Sequence, residues 1–248
     1  MKITKYKKIK NKYKVYIDND EIDLYENIIL KYNLLLKKEI TEIELKNIKN
    51  DNEKEEIYEK ALSYINIKMR SKKEIKKYLQ KKNYSEEDIS NTINKLEKSG
   101  FLNDEQYTKS FIMDKINLSN DGPNKIKYLL INEGIDEDLI NKYIDELDKE
   151  EIQKKLNRLI DKKISTIKNC SGNVLKYKIT SYFINLGYDK YMIEDILSCK
   201  KTNNNGEKEY YKLYNKYFKK YEGEKLESII RQKLYQKGFD LNEIKENI

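Results

Sequence analysis

Apolar residues recur along most of this chain at the three- and four-residue spacing of a helix, and one stretch of that pattern occurs four times. Ile75, Leu79 and Ile89 flank Asn83-Tyr84-Ser85, and Ile126, Leu130 and Ile140 flank Gly134-Ile135-Asp136. Ile179, Phe183 and Ile193 flank Gly187-Tyr188-Asp189, and Ile230, Leu234 and Ile244 flank Gly238-Phe239-Asp240. The offsets are identical in every copy, and the pivots at 83, 134, 187 and 238 are separated by 51, 53 and 51 residues. Gly, or Asn as the next most tolerant residue, ends a helix by entering the left-handed region. An apolar residue then plugs the corner, and Ser85, Asp136, Asp189 or Asp240 accepts a hydrogen bond from an orphan N–H of the next helix. Such a period means stacked supersecondary units, none of which buries its apolar face alone.

The stripe Ile57, Ala61, Leu62, Tyr64, Ile65 and Met69 predicts the first helix of the first unit. Ser71-Lys72-Lys73-Glu74 is a capping box that starts the second helix, and Ser85-Glu86-Glu87-Asp88 starts a third that stops at Gly100. Three-helix repeats are expected over 51–103, 104–150, 151–206 and 207–248, the last short enough to read as truncated. Gly122-Pro123 and Ser171-Gly172 mark breaks between helices, Thr202–Gly206 reads as a loop, and Tyr210–Tyr221 as a Tyr-rich helix. Residues 1–50 differ. Val15-Tyr16-Ile17 and Ile22-Asp23-Leu24 flank Asn19-Asp20, a two-residue hairpin turn, and Ile3 to Ile9 offers a third strand. Short helices follow at Glu26–Tyr32 and after Thr41, where Thr41 and Glu44 have capping-box spacing, and the polar stretch Asn47–Glu53 reads as a linker. The expected fold is mainly α: an elongated array of tandem three-helix repeats with a small N-terminal element containing a β-hairpin.

Composition narrows the function classes. Hydrophobic and charged residues each make up 38% of the 248, enough for thin helical cores, and the periodicity of the apolar positions argues against disorder. With no His, and with Cys170 and Cys199 standing apart without CxxC spacing, a zinc site is not expected, nor is a disulfide scaffold. Reduced cysteines suit the cytoplasm. No apolar run approaches the roughly 18 residues of a membrane span, and a Lys/Tyr-rich stretch without a signal-peptide core follows Met1. A soluble cytoplasmic monomer without membrane partner or cofactor is expected. No P-loop, GxGxxG or nucleophile elbow occurs, so an enzyme is not expected. The net charge of +8 is uneven: +4 over 1–50, +2 over 51–103, −6 over 104–150, +6 over 151–206 and +2 over 207–248. An acidic repeat between basic ones is not a uniform phosphate track, but it suits a surface that meets both nucleic acid and protein.

Between Ile57 and Leu147 the chain resembles the RecX family, the bacterial regulators of RecA recombinase. Ala61-Leu62-Ser63-Tyr64 through Arg70-Ser71, then Glu74-Ile75, Tyr78-Leu79 and Lys82, resemble the family's first repeat. Gly100-Phe101-Leu102-Asn103-Asp104 with Tyr107 resembles its junction motif, and Gly122, Ile126, Leu129-Leu130 and Gly134-Ile135 its second repeat. The resemblance implies helical three-helix repeats that bind in the groove of the recombinase filament on single-stranded DNA. It also implies restraint of the filament's ATP hydrolysis, strand exchange and coprotease activity, and hence a role in recombination, DNA repair and the SOS response. Double-stranded DNA is a second candidate partner.

The densest basic cluster is Lys68, Arg70, Lys72, Lys73, Lys76, Lys77, Lys81 and Lys82, with Glu74 the only acid among them. It reads as a docking face for DNA phosphate or filament acids, or equally as a solvated helix face. Arg70 stands out because only Arg158 and Arg231 are also arginines. Lys154, Arg158 and Lys162 form a second stripe at i, i+4, i+8, repeated by Lys212, Lys216 and Lys220; a joint basic ribbon and ordinary solubility are the two readings. Tyr6, Tyr13 and Tyr16, interleaved with lysines, are weaker candidates for stacking on single-stranded bases, since strand propensity also accounts for them. The helical Tyr and Phe residues read as core, and the acids Asp104, Glu105, Asp136, Glu137 and Asp138 as helix caps. The alternative to a filament regulator is a helical-repeat protein that binds nucleic acid without a recombinase partner.

Overall fold

The structure, a computed structural model, describes all residues except 168–169, 201–205 and 246–248. The loop expected at Thr202–Gly206 thus lies outside the described residues, apart from Gly206. The chain divides into two compact units, 1–107 with 133–135, and 108–132 with 136–248.

The first unit opens with an antiparallel sheet, β1 (Ile3–Ile9), β2 (Lys12–Ile17) and β3 (Asp20–Tyr25), in that order. The hairpin turn is Asp18-Asn19, one residue earlier than the sequence suggests. Asp18 takes the left-handed conformation at φ 49°, and its carboxylate accepts from the Lys2 N–H at 2.7 Å, which fixes the turn there. Val15, Ile17 and Leu24 bury the inner face against α1 (Glu26–Lys31), a 3-10 turn at Leu34–Leu36 and Ile48.

The helix α2 spans Glu42–Ile65 without a break, so the expected linker at Asn47–Glu53 is helix. Thr41 and Glu44 form the predicted capping box at its start. Its polar middle is held by the N-terminal element. Asp51 accepts from Lys31 at 2.5 Å and Tyr32 at 2.8 Å, Asn52 accepts from the Tyr25 N–H at 2.9 Å, and Glu55 accepts from Asn27 at 2.7 Å. Then come α3 (Lys72–Gln80) and α4 (Glu86–Lys98), which close the first repeat over Ile57, Ala61, Ile75, Leu79, Ile89 and Leu96.

The later repeats follow the same plan: α5 (Asp104–Leu118), α6 (Pro123–Asn132) and α7 (Glu137–Asp145); α8 (Lys149–Thr166), α9 (Gly172–Asn185) and α10 (Lys190–Ser198); α11 (Gly206–Tyr217), α12 (Gly223–Tyr235) and α13 (Leu241–Lys245). The Tyr-rich helix ends at Tyr217, four residues before its expected end. Every apolar motif position flanking the four pivots is buried to 2% exposure or less. Asn83 has φ 62°, the three pivot glycines have φ of 79–85°, and Ser85, Asp136, Asp189 and Asp240 each accept from a backbone N–H of the following helix.

The pivots also join repeats. Within the second unit, the Gly122 N–H donates to Leu186 O at 2.6 Å and the Asn124 N–H to Gly187 O at 3.0 Å, so the start of α6 is seated on the pivot that follows α9. A Cβ on Gly187 would lie 2.3 Å from Lys125 N. The Ser171 N–H donates to Lys237 O at 2.9 Å, which seats α9 on the next pivot in the same way. In the first unit, Ser71 Oγ donates to the Glu133 carboxylate at 3.4 Å and the Lys73 stem covers Gly134. Asn83 is exposed, which leaves room for a side chain at the first pivot.

Candidate functional site

In α3, the Ser71–Glu74 capping box sets the start, and Ile75 and Leu79 are fully buried. That register turns Lys73, Lys76 and Lys77 outward, with Lys81 and Lys82 exposed just beyond the helix. Lys76 pairs with Glu86 at 2.9 Å, Lys72 with Glu97 at 2.5 Å and Asp104 at 3.4 Å, and Lys68 with Glu74 at 3.5 Å. Lys77 and Lys81 have no acidic partner among the described residues.

Arg70, the first-ranked contact in the sequence, turns inward. Its side chain is only 11% exposed, Nη1 donates to Glu74 at 2.9 Å, and the guanidinium lies 3.9 Å from the Tyr64 ring centroid. Tyr64 in turn stacks on Tyr78 at 4.2 Å. Burial pushes the Glu74 carboxyl up, but Arg70, the Ser71 N–H and Lys68 together hold it below the usual range. Burial raises the Tyr107 phenol well above its ordinary value, and the charges of Glu74 and Glu133 add to that. Arg70 is therefore a packing residue, and the outward basic face of α3 is made of lysines.

Strand alternation separates the three N-terminal tyrosines. Tyr6 and Tyr13 pack against the sheet's core, and the Tyr6 hydroxyl donates to Leu34 O and Lys37 O. Tyr16 lies on the outer face with Lys12 and Lys14, opposite Lys5, whose ammonium is 5.9 Å from its ring centroid. Of the three, Tyr16 alone sits among cations on the outer face.

The α8 stripe lies in the second unit. Lys154, Arg158 and Lys162 are exposed and line one side of a groove of about 690 Å³ that Met113, Ile116 and Leu159 also line. Beside them Lys155 is half-buried. Its ammonium donates to Ile116 O at 2.5 Å and Ser119 O at 2.7 Å, capping the end of α5, and burial lowers its pKa. Glu146, Asp148 and Glu151 line the same groove, so its surface is mixed in charge. Lys212, Lys216 and Lys220 are exposed on and just after α11.

The helical aromatics are not all core. Tyr177, Tyr191 and Tyr235 are 74–81% exposed, and Tyr211, Tyr214 and Phe218 are 38–44% exposed. The signal was available: on α11 the core-facing stripe is Tyr210, Leu213 and Tyr217 at i, i+3, i+7, and Tyr214 and Phe218, one turn apart, fall off it. Among the described residues, no cluster of His, Cys, Asp and Glu could hold a metal ion, and no helix is long and apolar enough to cross a membrane.

Three-helix repeats joined at their pivots and carrying lysine-rich faces define a helical-repeat protein. Residues 58–96 match the family model for the first three-helix domain of RecX, and 103–144 that for the second. The regulatory protein RecX of Bacillus cytotoxicus is 31% identical, covering 98% of this chain and 94% of its own, and a Bacillus cereus relative of the same name is 33% identical over the same shares. The chain belongs to the RecX family of regulatory proteins. A crystal structure of regulatory protein RecX shares the fold, with a TM-score of 0.70, 23% identity, and coverage of 79% of this chain and 98% of that one. RecX from Lactobacillus salivarius aligns with a TM-score of 0.55 and 26% identity, over 58% of this chain and 94% of its own.

Proposed function

We propose that this protein is a non-enzymatic regulator that binds the filament formed by a RecA-type recombinase on single-stranded DNA and restrains its activity, thereby acting in recombination and DNA repair. The observation that carries this reading is the kinship with regulatory proteins named RecX over nearly the whole chain. The surface chemistry supports it. Lys77 and Lys81 carry charge that no described acid neutralises, and the α8 groove adds Lys154, Arg158 and Lys162, so polyanion contact is available on both units. The segment 104–150, at −6, would repel bare DNA but suits a basic protein surface. A partner made of protein and DNA together meets both demands better than DNA alone.

Regulation by binding requires differential affinity. If the protein prefers the inactive filament state tenfold, it shifts that equilibrium by about 1.4 kcal/mol, and with no preference it shifts nothing. The test is a charge reversal, Lys77→Glu with Lys81→Glu, assayed on single-strand-dependent ATP hydrolysis by the cognate recombinase. Inhibition is expected to weaken severalfold while far-UV ellipticity is unchanged. Undiminished inhibition by the double variant would remove α3 from the interface.

A further inference from the structure

The row of aromatics on α11 is not used by the reading above. Tyr214 and Phe218 are parallel within 3° at a centroid separation of 5.7 Å, and Tyr210 precedes them at 6.1 Å from Tyr214. Tyr210 leans on the repeat core, whereas Tyr214 and Phe218 are 38% and 40% exposed, and Tyr211 adds a ring against Tyr210 at 5.5 Å. Core packing does not require Tyr214 and Phe218, because Leu213, with Tyr210 and Tyr217, already supplies the inward stripe of the helix.

The charges around it point the same way. Lys212, Lys216, Lys219 and Lys220 are exposed, and none has an acidic partner among the described residues. The acid facing inward on this helix, Glu209, is taken by Lys237, and Glu227 beside Tyr210 and Tyr214 is 3.6 Å from Arg231. Partly exposed aromatic rings beside ammonium groups without an acidic partner, one of them Lys219 at 5.9 Å from the Phe218 ring centroid, are what a strand with unpaired bases recognises, by stacking and phosphate attraction. The spacing also fits. Four residues of helix rise about 6 Å, nearly twice the ~3.4 Å step of stacked DNA, so successive rings can meet bases of a stretched strand.

The geometry points to α11 and the turn that follows it as a stacking platform for single-stranded DNA, with Tyr214 and Phe218 as the base-contacting rings and Lys212, Lys216, Lys219 and Lys220 as the phosphate contacts. This deepens the proposed function by assigning its single-strand contact, and it rests on that reading only for its role in regulation.

The test is the affinity of the full-length protein for a fluorescein-labelled oligo-deoxythymidylate, without recombinase, across a salt series. The variant Tyr214→Leu with Phe218→Leu keeps apolar bulk and removes the π-faces. Since stacking is worth roughly 1–3 kcal/mol per base, each lost ring is expected to weaken binding about 5- to 140-fold, with the salt slope and helicity unchanged. Lys212→Gln with Lys216→Gln is expected instead to flatten the salt slope. Unaltered affinity of the leucine pair, equal affinity for a blunt duplex, or no binding by the wild type at low salt would each overturn the platform. The two proposals fail separately. Oligonucleotide binding that depends on the rings, in a protein without effect on recombinase, would sink the filament reading and leave the platform standing.

Discussion

The seating of α6 on the Gly187 pivot makes a quantitative demand on three glycines. At Gly100, φ is +76° and a Cβ would meet nothing within 4 Å, so Gly100→Ala costs backbone strain alone, about 1–2 kcal/mol. At Gly122 the backbone is outside the left-handed region, but a Cβ would lie 2.6 Å from Gly187 C and O, so alanine there pushes the pivot away without local strain. Opening the seat threatens the Gly122–Leu186 and Asn124–Gly187 hydrogen bonds, each worth about 0.5–1.5 kcal/mol net. Gly122→Ala is therefore expected to cost about 1–3 kcal/mol. Gly187→Ala combines a φ of +85° with a Cβ 2.3 Å from Lys125 N, and about 2–5 kcal/mol is expected. Urea unfolding followed by far-UV ellipticity gives the ordering, and amide hydrogen exchange locates it, since the Gly122 and Asn124 N–H groups lose protection only when the seat opens. Gly187→Ala no more costly than Gly100→Ala, with those two amides still protected, would refute the idea that the pivots join repeats.

Two further outcomes are expected. Arg70→Ala removes a charged hydrogen bond and a cation–π contact and is expected to lower stability by about 2–4 kcal/mol in the same urea assay; an unchanged midpoint would return Arg70 to the surface. Bonding to Lys31 and Tyr32 holds Asp51 below its ordinary 3.8, and Glu74 lies below its ordinary 4.5. The unfolded chain therefore takes up these protons first, so their stabilisation is present above about pH 4.5 and is lost as pH falls through the depressed folded values. Asp51→Asn and Glu74→Gln are expected to flatten the acid limb of stability below about pH 4.5, and unchanged acid limbs in both would exclude these pairs as its source.

The repeat was legible because each part of its motif is governed by local chemistry: a left-handed pivot, a capping side chain and apolar residues one turn apart. What the sequence hid was decided by distant partners. Asn47–Glu53 looked like a linker because polar residues dominate it, yet Asp51 and Asn52 are satisfied by Lys31, Tyr32 and Tyr25, far back in the chain. Arg70 looked like a surface cation because its inward partners, Tyr64 and Glu74, are visible as such only once α2 and α3 are packed. The reason for Gly at 187 was half visible, since left-handed backbone follows from the motif but the close approach of Lys125 does not. The two faces of the sheet could have been separated by alternation, which sends Tyr13 inward and Tyr16 outward.

The central claim is regulation directed at the filament, and the most direct measurement is single-strand-dependent ATP hydrolysis by the cognate recombinase, titrated with this protein at moderate salt and with DNA in excess. The account predicts inhibition at protein concentrations well below that of the recombinase, because one bound regulator then restrains many protomers. No inhibition, or inhibition that vanishes once DNA is in excess, would contradict it and leave a protein that competes only for DNA.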